Sequence, residues 1–387
     1  MTARRVRVMV LLDTLAAGGA ERFAIELACS LAPSEFAPFV VATKRGGPLE
    51  QRLVESRVPY TVLGRRRLTS PRPALRALRL ARRSDLVHSH LFGNNVWGSV
   101  LARVAGVPLV AHEHNRVGLH VRFESAFDRF LIGPTAARIL CVSGSAARQL
   151  FEAGVSRSLV EVVPNGVRLD RSERAEARAA LGLAEQDVVV GIVASLRPEK
   201  AHDVLLTAFA SLVGGGAHPR LRLCMVGDGA CRESLEALAA RLGVEHRVTF
   251  AGERIDAPDL HAAFDVSVLA SRSEGLPLAA LESLAAGTPL VATRVGGLPE
   301  LLEGGAGLLV DPGDDEELAA AIGAVLTDPE LHRRLAETGR RRVSERHDLA
   351  RTVGVVEAVY RDVLGRPFQK PQHGESDELV KGAAHLV

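Results

Sequence analysis

The stretch that most limits what this chain can fold into is Val266–Gly287, VSVLASRSEGLPLAALESLAAG, with its continuation TPLVATRVGG. A short apolar strand over Val266–Ala270 breaks at Ser271–Gly275, and the sequence restarts as a helix at Pro277. Proline is preorganised for a first helical position, and Gly287 can close the helix in the left-handed conformation. A second strand, Pro289–Ala292, follows at once. Strand, loop, helix and strand in so short a span predict a βαβ unit of a parallel sheet.

The helix is apolar on almost every side (Leu278, Ala279, Ala280, Leu281, Leu284, Ala285), yet carries Glu282 at its centre. A helix apolar all round is buried, and a buried carboxylate is costly without a hydrogen-bonding partner. Glu274 sits in the loop where the strand's carboxyl end meets the helix amino end. In open α/β sheets that crevice is where ligands bind, and free helix N–H groups favour a phosphate there. Gly275, Leu276, Pro277 and Leu278 are thus predicted to form an anion site, flanked by two carboxylates able to accept ligand hydroxyls. A phosphorylated sugar offers both parts. The competing explanation is a structural ion pair, with Arg272 or Arg294 as the partner of Glu282.

The longer string EGLPLAALESLAAGTPLVATRVGGLPELL closely resembles the signature of family 4 glycosyltransferases, with E-x7-E, then A-x-G-x-P-L-V-A-T, then G-G-x-P-E. So many fixed positions in one span are far more specific than a lone glycine motif. The resemblance implies a GT-B architecture: an α/β protein with two Rossmann-like domains facing across a deep cleft. It implies a retaining enzyme that uses a nucleoside diphosphate sugar of UDP or GDP type and needs no metal or other cofactor.

A chain of 387 residues suits two domains. Apolar residues make up 47% and aromatics only 4%, so the cores are expected to be Leu, Val and Ala, as in helix-covered parallel sheets. A net charge of +2 makes no general case for nucleic acid. Cys29, Cys141, Cys224 and Cys231 form no C-x-x-C pair, which suits a reducing cytosol. No apolar run approaches the length of a membrane span. Asp13 ends the amino-terminal apolar run early, so that segment is expected to be a first strand rather than a signal peptide.

That strand is predicted over Val6–Leu12, followed by a loop to Gly19 and a helix over about Ala20–Leu31. Gly18 and Gly19 permit close approach of backbone to a ligand. The spacing is not G-x-G-x-x-G and no P-loop occurs, which argues against a dinucleotide oxidoreductase and a P-loop enzyme. GGAERFAIELACSL resembles the family's GGAE-type loop, near where donor and acceptor meet.

Strands over Phe39–Thr43 and Tyr60–Leu63 precede an arginine-rich segment in which Arg72, Arg76, Arg79 and Arg83 recur at helical spacing, with Arg65–Arg67 just before them. A solvated helix face accounts for such a stripe. So does attraction to anionic lipid headgroups, worth about 1 kcal/mol per basic residue near the surface, which would place the protein in the cytoplasm at the inner face of the membrane, with a lipid-linked or polysaccharide acceptor.

LVHSHL and VPLVAHEHN follow as strands. Alternate residues share a face in a strand, so His88 projects with His90 and His112 with His114. Four such histidines invite a metal reading, but neutral imidazoles at clefts are common hydrogen-bonding groups and no carboxylate-rich second shell is evident. VPLVAHEHN resembles the family's strand ending in a histidine beside the reacting sugar, which falls on His114.

VVPNGV resembles the family's interdomain hinge, so the boundary is placed near Gly166. The implied organisation is an acceptor domain over 1–166, a nucleotide-sugar domain over 167–348, a helix over 349–366 crossing back to the first domain, and a poorly ordered tail over 367–387. In the second half a strand over Val188–Val193 leads into ASLRPEKAHD, with Arg197 and Lys200 ahead of a helix from His202. Two cations at a helix amino end oppose its dipole, but fit if a diphosphate lies between them. Relatives read G-R-L-x-x-E-K-G, so Lys200 matches while the family's arginine position is Ser195 here; Arg197, two residues on, either substitutes for it or faces away. Gly252–Arg254 falls where relatives close over the base.

The resemblance implies hexose transfer to an acceptor hydroxyl, and the arginine stripe suggests cell-surface polysaccharide or glycolipid synthesis. Lys200, Arg197 and the Gly275–Leu278 turn would face the diphosphate, Glu282 the ribose, Glu274 the donor sugar, with Gly19 and His114 beside it. The alternatives are a nucleotide-sugar epimerase on the same fold, or a catalytically silent sugar-nucleotide-binding protein.

Overall fold

The computed structural model describes residues 4–66, 70–114, 121–170, 172–216 and 218–365. The reading of 367–387 as a poorly ordered tail lies outside them, as do Arg67 and Asn115.

Short runs of apolar, β-branched residues form two wholly parallel sheets. The first holds seven strands: β1 (Val6–Thr14), β2 (Phe36–Arg45), β3 (Tyr60–Val62), β4 (Leu86–His90), β5 (Leu109–Glu113), β6 (Arg138–Cys141) and β7 (Val160–Val162), in the order β3-β2-β1-β4-β5-β6-β7. The second holds six: β8 (Val188–Val193), β9 (Leu221–Val226), β10 (Val248–Gly252), β11 (Val266–Leu269), β12 (Leu290–Thr293) and β13 (Leu308–Val310), in the order β10-β9-β8-β11-β12-β13. Every residue of β4, β5, β11 and β12 is buried, as expected where helices cover both faces of a parallel sheet. The strand order reverses between β1 and β4 and again between β8 and β11. Each reversal opens a crevice at the strands' carboxyl ends, the place where such sheets bind ligands.

The two sheets face each other. The helix Gly19–Ser30, which follows β1, packs against the helix Leu278–Ala285, which follows β11. A single apolar core runs from Val8 and Phe23 in the first half through Leu278 and Leu281 in the second.

The last helix, Leu349–Val363, packs against the helix Gly19–Ser30. Val167 pairs with Asp348 in an isolated bridge, and backbone bonds from Val167 to His347 (2.9 Å) and Leu349 to Val167 (3.0 Å) tie the two segments together. Gly166 is required there, because a Cβ would lie 2.5 Å from Thr352 Oγ1 and 2.8 Å from Leu349 Cα. Further along the helix, Glu357 accepts from Ala32 N (2.7 Å), Arg361 pairs with Glu35 (2.7 Å) and Tyr360 is fully buried.

Three local expectations differ from the structure. The central helix begins at Leu278, with Pro277 as its extended N-cap rather than its first helical residue. Gly287 does take the left-handed conformation, at φ 74°. The helix Pro329–Arg346 was not anticipated: it buries only Leu335, Gly339 and Val343 beneath a strongly polar exterior, too narrow a stripe to stand out in the sequence. Arg65, read with the basic cluster, is buried instead; its guanidinium lies over Trp97 and pairs with Asp13. Among the described residues no helix is long and apolar enough to cross a membrane.

Candidate active site

The two crevices merge into one cleft of about 1150 Å³. Gly18, Gly19, Glu21, Arg22 and His114 line it from the first half; Ser195, Arg197, Lys200, Glu274, Gly275, Leu276, Pro277 and Glu282 line it from the second. Every site residue predicted from the sequence therefore reaches the same space.

At the β8/β11 reversal, Lys200 Nζ donates to Glu274 Oε1 (2.7 Å), and the Ser271 hydroxyl donates to the same oxygen (2.7 Å). Glu274 is buried, while the Lys200 side chain keeps 22% of its exposure. Tertiary bonds fix the turn after Glu274. Gly297 N donates to Gly275 O (2.6 Å), and Asn165 Nδ2 reaches across from the first half to Leu276 O (2.7 Å). Gly275 lies so close to the other wall that a Cβ would stand 1.7 Å from His114 O. The amino end of the helix Leu278–Ala285 has no side-chain cap, so its N–H groups are available to an anion.

Arg197 extends into the cleft with its side chain 66% exposed, and its nearest carboxylate, Glu199, is 3.9 Å away. Ser195, where relatives carry arginine, also lines the cleft.

Glu282 is buried, and Arg22 donates to its Oε1 (2.5 Å). The partner is thus neither Arg272, which pairs with Asp203 (3.1 Å), nor Arg294, which pairs with Asp311 (3.4 Å). It comes from the opposite half of the molecule, and no local spacing could have indicated it. Glu21 was likewise missed, although it is the last letter of the GGAE string. It is half-buried on the cleft wall and accepts from Thr14 Oγ1 (3.3 Å). Burial raises its carboxyl above the usual range; the Arg197 guanidinium acts the other way.

His88, His90, His112 and His114 project together and form one buried ladder. Tyr360 Oη lies 2.6 Å from His88 Nδ1, His88 Nε2 lies 3.3 Å from His112 Nδ1, and His90 Nδ1 lies 3.0 Å from His114 Nε2. Ring nitrogens of His88, His90 and His112 come within 4.8 Å of one another, but His112 is stacked on both His88 and His90 (5.4 and 5.2 Å), and Phe23 stands edge-on to His112 at 5.4 Å. Stacked rings present their nitrogens side by side rather than around one point. Burial lowers all four, His88 and His114 to about 3, so the imidazole facing the cleft is neutral at pH 7.

The description Glycosyl transferases group 1 matches residues 173–342, and Glycosyltransferase Family 4 matches 17–171. The chain is 36% identical over 275 residues to the D-inositol 3-phosphate glycosyltransferase of Nocardia farcinica, covering 65% of this chain and 60% of the relative. It is 30% identical over 307 residues to the 2-deoxystreptamine glucosyltransferase of Streptomyces kanamyceticus, covering 73% and 79%. The match thus spans about three fifths of the length of the Nocardia relative. Among solved structures it resembles Anabaena Alr3699/HepE in complex with UDP-glucose, with a TM-score of 0.82, 25% identity and coverage of 92% and 100%. WaaG, a glycosyltransferase involved in lipopolysaccharide biosynthesis, shares the fold at a TM-score of 0.73 and 21% identity, over 91% of this chain and 99% of that one. The chain belongs to the glycosyl transferases group 1, in glycosyltransferase family 4, and has the GT-B fold of two facing Rossmann-like domains.

Proposed function

We propose that the protein is a retaining hexosyltransferase that moves a hexose from a nucleoside diphosphate sugar to an acceptor hydroxyl. The observation that carries this is the meeting of Lys200, Glu274 and an uncapped helix end at the β8/β11 reversal, with Glu282 one helical turn further on. Lys200 and the N–H groups at Gly275–Leu278 hold the diphosphate and stabilise the charge that develops as the bond from the sugar's anomeric carbon to phosphate oxygen breaks. Arg197 adds a second cation from the rim. Glu282 accepts the ribose hydroxyls and Glu274 those of the donor sugar. Neutral His114 and the backbone at Gly19 border the reacting sugar from the other wall. The acceptor oxygen bonds to the same face that the phosphate leaves, and the departing phosphate oxygen takes its proton. The Glu pair is not a glycosidase pair, since its members serve different parts of the donor rather than flank one bond.

UDP is the donor nucleotide that the similarity to a UDP-glucose complex favours, with GDP the alternative. The scheme uses no metal, because protein cations and backbone dipoles supply the positive charge.

Thermal-shift titration with UDP-, GDP- and ADP-sugars tests this directly. One sugar nucleotide at one hundred times its dissociation constant adds about 2.7 kcal/mol of stability. That shift is lost in Lys200→Ala and Glu282→Ala, and excess EDTA leaves transfer unchanged. No shift with any of the three refutes the proposal. Donor turnover without acceptor, giving a different sugar on the same nucleotide, marks an epimerase instead.

For the acceptor we propose a lipid-linked or polysaccharide chain, reached from the cytoplasmic face of a membrane. Arg72, Arg76 and Arg79 are exposed on the helix Pro71–Ala81, with Leu75 54% exposed among them. Charge reversal of all three abolishes sedimentation with anionic vesicles. Unchanged sedimentation, or none by the parent protein, shifts the assignment to a soluble acceptor of the kind named for the inositol phosphate relatives.

A further inference from the structure

The Arg22–Glu282 pair joins the two halves across the cleft. Arg22 is four-fifths buried, and Glu282 is 3% exposed. Only one carboxylate oxygen is satisfied: Oε2 is buried and has no hydrogen-bond partner among the described residues. A buried acceptor left unpaired is destabilising. A ribose cis-diol carries two hydroxyl donors and would satisfy both oxygens, but Oε1 is already taken by Arg22 and Oε2 is buried.

The position of Arg22 points to a second partner. It lies in the first turn of the helix Gly19–Ser30, where the dipole disfavours a cation. A guanidinium there gains from a neighbouring anion. Among the carboxylates that line the cleft, Arg22 pairs with Glu282; a further anion would be the diphosphate whose place is marked by Lys200 and the Gly275–Leu278 turn. Arginine matches phosphate oxygens with paired N–H donors.

We propose that Arg22 is a donor-displaced cap on the ribose carboxylate, which is handed from Glu282 to the diphosphate as the nucleotide enters. This inference rests on the assignment of Glu282 to the ribose. The transfer exchanges one charge-assisted bond for another, so the cap opens to a complete nucleoside diphosphate and resists a bare nucleoside. Arg22 is a positioning residue in the empty enzyme and a diphosphate ligand in the loaded one. It makes donor binding depend on both halves being in contact.

The test compares two probes on full-length protein by calorimetric titration: uridine and UDP, or the matching guanosine or adenosine pair if the panel above selects that base. A capped site binds with an affinity reduced by the fraction of time it is open. Arg22→Met is expected to tighten nucleoside binding at least about fivefold and to weaken nucleoside diphosphate binding about tenfold or more, for loss of a charge-assisted contact. The ratio of the two dissociation constants therefore collapses. Nucleoside binding that is unchanged or weaker in Arg22→Met overturns the cap. Diphosphate binding that tightens along with the nucleoside overturns the hand-over. Arg22→Lys, which keeps the charge, guards against misfolding: it must retain more diphosphate affinity than Arg22→Met at similar thermal stability, and equal loss in both refutes a phosphate contact. Glu282→Gln separates the two levels. If it binds nucleoside as the parent does, the ribose assignment itself is wrong, whatever Arg22 does.

Discussion

At the residue scale, the cleft is fitted to backbone as much as to side chains. Gly275 has an ordinary backbone conformation, so its requirement is space: a methyl group there would meet the His114 carbonyl at 1.7 Å. Gly275→Ala is expected to cost about 1–3 kcal/mol, as overpacking does, and to abolish transfer by driving the walls apart. Parent-like melting temperature and turnover would show that the contact yields. Glu274→Ala removes the acceptor of both Lys200 and Ser271. Transfer should fall by about two to three orders of magnitude with folding retained, and preserved sugar transfer refutes the role given to Glu274. The carboxylates, Lys200 and the glycine turn were legible because their chemistry depends on residue type and short spacing. Arg22 was not: its partner is 260 residues away, and in the string GGAER it reads as an ordinary helix arginine.

At the element scale, the helix Leu349–Val363 carries Tyr360 into the base of the histidine ladder, where its hydroxyl sits 2.6 Å from His88 Nδ1. Tyr360→Phe leaves that buried nitrogen unpaired, at a cost of about 1–3 kcal/mol. A drop in melting temperature with unaltered donor affinity is the expected result; no drop means the hydroxyl bond contributes nothing net. The elements that the sequence predicted well were those with strong apolar periodicity or a glycine stop, such as β8, the Leu278 helix and the last helix. The polar helix Pro329–Arg346 was lost because only Leu335, Gly339 and Val343 are buried. The arginine stripe shows the complement. Helical spacing correctly placed Arg72, Arg76 and Arg79 on one exposed face, but Arg65, from the same basic run, folds inward onto Trp97 and Asp13.

At the scale of the whole molecule, six buried histidines are held neutral by burial: the four of the ladder, His202 and His347, the last two lowered to about 4. His347 also hydrogen-bonds the Asn165 carbonyl (3.1 Å). Unfolding lets each recover its ordinary value of 6.5 and bind a proton that the folded form refuses. Stability is therefore full above about pH 6.5 and falls as the pH drops towards 3, with the unfolded chain binding more protons throughout that window. Melting temperature measured from pH 8 to pH 4.5 should hold level and then decline steeply below about 6.5; a flat profile would mean that the ladder is solvated.

The sequence alone determined the parallel α/β architecture, the family, and the residue types that line the β8/β11 crevice, because strand and helix periodicity and glycine turns act over a few residues. Tertiary structure decided how the crevices meet: Arg22 on Glu282, Gly275 against His114, and four histidines gathered into one ladder under Tyr360. Those contacts join segments far apart in the chain, and they exist only once two sheets are closed on each other by a shared apolar core.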